Sequence, residues 1–411
     1  MKLTRITGIV AGLSLLVAGM QAQVSLPAVF TDHMVLQQKS EVPVWGWGSA
    51  SATIKVVGSW APLDTATTVV RSDGTWDTTL KTIGAGGPYT LSVLGDGTRE
   101  LKDVMLGEVW LCSGQSNMEW TPMHGIDNSE EEVAAANYPN IRFFHIPKRG
   151  AATPQNNCEA SWAPCTPDRM KSTSAIAYFF GRDLQKDLNV PVGLIVSAWG
   201  GTPAEVWVPE EQVMNNPRIR DVMPDKTYPW WPVEPGVLYN QMISPVVPYA
   251  LAGAIWYQGE SNRDHPDSYG ILLKTMVESW RKSFKKDFPF YLVQIAPFTY
   301  NAGDNGAALV REHQEWVART VPGAGMVAVS DCVADVKNIH PTDKQSVGQR
   351  LANMALGKIY GRLDSGYESP LFESMTIDKN KAVISFLHAG NGLMCKDKEI
   401  TGFMIAGEDG V

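Results

Sequence analysis

The chain has 411 residues, with 35 Lys and Arg against 43 Asp and Glu, for a net charge of −8. That acidic balance argues against a nucleic-acid binder, which carries a basic stripe, and 44% apolar residues exclude global disorder. The 37 Gly and 26 Pro follow no period, which excludes collagen-like and low-complexity chains. At about 150 residues per domain the length carries two to three domains. Fourteen Trp is a high count. Trp at this density fills cores, and it also lines carbohydrate sites, where flat sugar faces stack on rings.

Residues 1–22 read as a signal peptide, with Lys2 and Arg5 ahead of an apolar stretch from Ile6 to Met20 and cleavage expected after Ala22. The expected location is therefore secreted or periplasmic. No Cys ends the apolar stretch, so no lipid anchor is expected, and no later run of about 18 apolar residues suggests a membrane span. Cys112, Cys158, Cys165, Cys332 and Cys395 match no zinc spacing. Cys158 and Cys165 close a short Pro-containing loop and are a candidate disulfide in an oxidising compartment, whereas Cys112 and Cys332 end apolar runs and read as buried residues.

Residues 23–102 read as a small all-β domain, a sandwich, because short runs such as VPVWGWG, TIKVV, TWDTTL and YTLSVL are split by Gly, Asp and Ser turns. Residues 103–363 change texture. The strand candidates DVMLGEVWLCS, IRFFHI, VGLIVSAW, LAGAIWYQ, FPFYLVQIA and GMVAVSD alternate with helix patterns, including STSAIAYFFGRDLQKDL, SYGILLKTMVESWRKSF, ALVREHQEWVART and DKQSVGQRLANMALGKIY. Several strands are apolar on consecutive residues, as when both sheet faces are covered, so this part is expected to be a parallel α/β sheet with helices on both sides. Residues 364–411 turn β again, and the run breaks off after a Gly-Glu-Asp-Gly turn, which suggests a C-terminal β domain that begins without finishing.

In open α/β sheets ligands bind beyond the carboxyl ends of the strands. The first strand ends in Ser113-Gly114-Gln115-Ser116-Asn117-Met118. A serine on such a strand-to-helix turn presents its hydroxyl and its own N–H, although it also suits a helix N-cap. This is not the G-x-S-x-G elbow, because Met118 stands where the second Gly would be. The third strand runs into Gly200-Gly201, where backbone N–H groups can approach a ligand, or which is a plain tight turn. The fourth runs into Gln258-Gly259-Glu260-Ser261-Asn262, whose amides can donate to an oxyanion or serve as a capped loop. The last is followed by Asp331, Asp335 and Asn338-Ile339-His340-Pro341. His340 is the one histidine placed to oppose Ser116. His33 and His388 lie in the β regions, His145 in a strand and His313 in a helix, while His124 and His265 follow the serine and QGESN loops too closely.

The blocks GEVWLCSGQSNMEW, SAWGGTPAEVW, WYQGESN and NIHPTDKQSVGQRLA resemble those of the sialate O-acetylesterase family of SGNH hydrolases. The leading LPAVFTDHMVLQQKSEVPVWGWG and GGPYTLSV runs resemble that family's N-terminal β region, so the likeness spans nearly the whole chain after residue 22. The resemblance implies a flavodoxin-like sheet and a serine esterase acting through an acetyl-serine, with no metal or cofactor. It makes Ser116 the nucleophile and His340 the base. It builds the oxyanion hole from the Ser116 N–H, the Gly200/Gly201 turn and a side chain of Gln258 or Asn262, and it puts Gln115, Asn117, Glu260 and Asn240 against substrate.

One position departs from the pattern: the superfamily's acid lies three residues before the histidine, where this chain has Lys337. Asp335 is then the expected acid, with Asp331 or a backbone carbonyl in its place as alternatives. Among substrates, 9-O-acetyl sialic acid leads. Acetylated plant polysaccharide such as xylan or xyloglucan is the competing reading, and a binding protein without catalysis is a third, against which the intact Ser116 and His340 speak.

Overall fold

In the computed structural model, residues 23–223, 228–301, 303–393, 400 and 403–407 are described. The expected signal peptide over 1–22 and Cys395 lie outside them. The strands are β1 (Val35–Gln37), β2 (Glu41–Trp47), β3 (Thr53–Gly58), β4 (Thr65–Val69), β5 (Thr75–Lys81), β6 (Gly86–Gly95), β7 (Gly97–Gly114), β8 (Tyr138–His145), β9 (Trp162–Cys165), β10 (Val192–Ala198), β11 (Gly253–Tyr257), β12 (Phe290–Val293), β13 (Ala324–Val327), β14 (Leu371–Asp378) and β15 (Lys381–Leu387).

The site-bearing sheet runs β13-β12-β11-β7-β10-β8-β9 and is parallel apart from β9. Its two faces are built by period-2 alternation. Trp110, Cys112, Leu194, Val196, Ile255, Tyr257, Tyr291 and Val293 face one core, with the helices Ala175–Leu188 and Lys344–Lys358. Val109, Leu111, Ile195, Ala254, Trp256, Phe290 and Leu292 face the other, with the helices Pro266–Phe284 and Gly306–Thr320. Each of the four expected helices forms. Ser174 caps the first through the Ala177 N–H (3.1 Å), and Asp343 caps the last through the Ser346 N–H (2.9 Å).

Three expectations change. Counting the parallel strands in chain order, the sheet is 2-3-1-4-5-6, not the flavodoxin order 2-1-3-4-5. The wholly buried run Val192–Ala198 takes the inner slot beside β7, and the partly polar Tyr138–His145 takes the outer one. Second, no linker marks residue 102. Strand β7 runs unbroken through it, pairing with β6 and β1 at one end and with β10 and β11 at the other. Third, Cys158 and Cys165 are both free. Cys165 is buried on β9, with its thiol toward Ala136 O at 3.6 Å, so the second half of the loop offered as a candidate disulfide is an edge strand.

The N-terminal strands are antiparallel pairs, β2 with β5 and β3 with β4 and β6. Their interior residues, among them Val44, Ile54, Trp76 and Leu91, belong to the same core as the Pro266–Phe284 side of the sheet. β14 and β15 form a separate, largely exposed hairpin. Among the described residues no helix is long and apolar enough to cross a membrane.

Candidate active site

The turn that carries Ser116 depends on Gly114. Its φ is +143°, and a Cβ there would sit 2.2 Å from the Tyr257 carbonyl of the neighbouring strand, so β7 and β11 approach too closely for any side chain. The next residue, Gln115, is buried and anchored, its N–H on Tyr257 O at 2.9 Å. Its side-chain oxygen takes the Gly259 and Ser261 N–H groups at 3.2 and 3.4 Å, which makes it the brace of the QGESN loop. Ser116 then opens the short helix Ser116–Glu119. Its Oγ lies 2.9 Å from His340 Nε2, so strand end and histidine loop, 224 residues apart, meet in the serine–base hydrogen bond expected of them.

Among the described residues no carboxylate completes a triad. The Asp335 side chain is exposed and accepts the Lys337 N–H at 2.8 Å, closing a local turn. Asp331 pairs with both Arg350 terminal nitrogens, at 2.7 and 2.6 Å. Among the described residues His340 Nδ1 has no hydrogen-bond partner, so neither the Asp335 assignment nor the backbone-carbonyl alternative is realised in this geometry. The ring is held instead by stacking. Trp120 lies parallel to it, with centroids 4.0 Å apart at 20°, and is itself fixed by donating to Gly125 O at 2.8 Å. Burial, then the Lys344 ammonium and His124, push the His340 pKa down to about 4, so the imidazole is neutral at pH 7 and free to accept a proton.

The residues expected to touch substrate knit the site from behind. Asn117 is fully buried. It donates to Glu260 Oε1 (2.7 Å) and to Ile339 O (3.1 Å), and its oxygen accepts from Lys344 Nζ (2.6 Å). One amide thus ties the Ser116 turn to the QGESN loop and to the residue before His340. Burial raises the Glu260 pKa and lowers that of Lys344 to about 7. Among the described residues Glu260 Oε2 has no hydrogen-bond partner. Asn240 donates to Ala151 O at 3.0 Å and supports the 151–155 loop rather than the site.

The oxyanion donors also differ from expectation. Gln258 and Asn262 are buried and bonded to each other at 2.6 Å, with further bonds to Thr202 O, Tyr269, the Ala204 N–H and Glu205. Both amides are absorbed in the scaffold, since an unpaired buried amide is costly. The Gly200 N–H donates to Glu119 Oε2 at 2.5 Å. Among the described residues the Ser116 and Gly201 N–H groups have no acceptor, which leaves these two for a developing oxyanion, at a helix N-terminus that favours negative charge. Lys344 and Glu119 escaped the sequence reading, as did the stacking of Trp120 on His340. The available signals were the i,i+4 spacing of Trp120 from Ser116 and a lysine that opens the helix just after His340.

A serine bonded to a neutral, half-buried imidazole at the carboxyl edge of a parallel sheet, beside two free N–H groups, is the apparatus of a serine ester hydrolase. The sequence pattern of the family described as carbohydrate esterase, sialic acid-specific acetylesterase matches residues 106–357. Sialate O-acetylesterases of Homo sapiens and Mus musculus are each 31% identical, the first over 87% of this chain and 75% of its own length, the second over 83% and 74%. A solved structure of a carbohydrate acetylesterase from Xanthomonas citri is similar with a TM-score of 0.79 and 34% identity, covering 89% of this chain and 82% of that one. The chain belongs to the sialic acid-specific acetylesterase family of carbohydrate esterases, and it is a carboxylic ester hydrolase.

Proposed function

We propose that this esterase removes O-acetyl groups from sialic acids through an acetyl-serine intermediate. The observation that carries the reading is the 2.9 Å contact between Ser116 Oγ and His340 Nε2 in a member of this family. The names of the curated relatives favour sialic acid over plant polysaccharide. His340 takes the Ser116 proton as Oγ attacks the acetyl carbonyl, and the oxyanion faces the Ser116 and Gly201 N–H groups. The sugar oxygen leaves with the proton from His340. Water, deprotonated by His340, then attacks the acetyl-serine and releases acetate with the serine restored. Acetate release from free 9-O-acetyl sialic acid and from acetylated xylan tests the substrate: faster turnover on xylan would overturn it.

We also read residues 1–22 as a signal peptide that directs the protein to the periplasm or exterior, and the N-terminal strands as a sandwich. N-terminal sequencing of exported protein that began at Met1 would contradict the first.

A further inference from the structure

Most of the large aromatic side chains fill cores: Trp76, Trp110, Trp207, Trp256 and Trp280 are fully buried. One group does not. Trp199, Tyr228, Trp230 and Trp231 line a concavity of about 350 Å³ with Glu234 on its edge. Tyr228 lies against Trp231 at 4.8 Å and 35°, and Trp230 stands across Trp231 at 5.3 Å and 74°, so the rings form a corner with two faces. Trp230 is 61% exposed and Tyr228 36%. Holding such aromatic faces in water opposes the hydrophobic effect, and clustered exposure of this kind marks binding surfaces.

The corner adjoins the nucleophile. A Cβ on Gly201 would lie 2.7 Å from the Trp231 ring, and a Cβ on Gly200 would lie 3.1 Å from Ser116 Cβ. Ring and nucleophile therefore flank the same two-residue turn, no more than about 13 Å apart at a Cα spacing of 3.8 Å. A disaccharide whose acetyl group sits at Ser116 is long enough to reach across that turn.

We propose that this corner binds the neutral pyranose to which the acetylated residue is linked, so that the enzyme binds the glycan-linked acetylated sugar more tightly than the free one. The proposal rests on the sialic acid reading above. A neutral pyranose offers apolar C–H faces to the rings and hydroxyls to Glu234. The sialic acid itself fits there poorly, because the Glu234 carboxylate would repel its own. The charge on the rim thus sets the order of the two sugars, with the acetylated anionic one at Ser116 and the neutral one on the aromatic corner.

The test compares acetate release from free 9-O-acetyl sialic acid and from the same sugar linked to galactose, for the wild type, Trp230→Ala and Trp230→Phe. Trp230→Ala should raise KM for the linked substrate about tenfold, or about 1.4 kcal/mol, with kcat within about twofold. The rise should be several times smaller for the free sugar, and Trp230→Phe should restore most of the loss. Equal effects on both substrates, or none on the linked one, overturn the proposal. Calorimetric titration with unacetylated lactose decides the corner separately. Binding to the wild type that weakens about tenfold in Trp230→Ala supports it, and no binding, or equal binding, overturns it. If the wild type cleaves neither sialic substrate, the sialic acid reading fails while the titration still judges the corner.

Discussion

His340 is oriented by a ring where a triad would use a carboxylate. The stack on Trp120 sets its plane, and burial beside Lys344 keeps it neutral. Trp120→Ala should therefore lower kcat by about 10²-fold, the usual result of loosening a reacting group by an ångström, with Trp120→Phe milder. Asp335→Asn should change kcat by less than about threefold, whereas the same change in a working triad acid costs about 10⁴. A large loss in the Asp335→Asn kcat would restore the triad. The sign of the pH dependence follows from the same contacts. Activity needs neutral His340, and its pKa is depressed to about 4, so the acid limb of kcat/KM should lie well below the ordinary imidazole value of about 6.5. Lys344→Met removes a like charge, raises the His340 pKa and should move that limb to higher pH. A limb that stays put would separate Lys344 from the base.

The elements that hold these residues depend on two devices, one steric and one polar. Gly114→Ala forces a Cβ onto the Tyr257 carbonyl at a positive φ and should cost well over about 1 kcal/mol, read as a fall in melting temperature. Asn117→Ala strips Lys344 and Glu260 of their shared bridge, and breaking a buried charged network costs about 3–5 kcal/mol. A denaturant midpoint equal to the wild type would contradict that role. The meeting of Ser116 with His340 was legible in the sequence because strand ends converge on one sheet edge, and that is topology read from apolar runs. The partners of polar groups were not. Gln258, Asn262, Asn117 and Gly200 carry donors of the kind an oxyanion hole uses, yet tertiary contacts with Thr202, Glu205, Glu260 and Glu119 claim them. Spacing along the chain does not encode which acceptor reaches a buried amide first.

At the scale of the molecule, β7 is the common member of the N-terminal strands and the parallel sheet, and one core extends from Val44 and Trp76 to Trp256 and Trp280. A chain beginning at residue 103 should then expose β7 edges and aggregate. A cooperative melt for that fragment would contradict the shared core. The α/β texture and all four long helices were readable from periodicity, because burial on both faces leaves unbroken apolar runs. The strand order was not, since it depends on which of two apolar strands is buried more completely, and that is decided by what packs outside them.

The central claim is that Ser116, with His340 as its base, performs the hydrolysis. Its most direct test is the kcat for acetate release from 9-O-acetyl sialic acid by Ser116→Ala, measured beside the wild type with folding checked by circular dichroism. Losses of about 10⁶ accompany removal of a serine nucleophile elsewhere, and the account predicts a loss of at least about 10⁴ with the fold unchanged. A folded Ser116→Ala variant that kept more than about a hundredth of wild-type turnover would place the nucleophile elsewhere and contradict it.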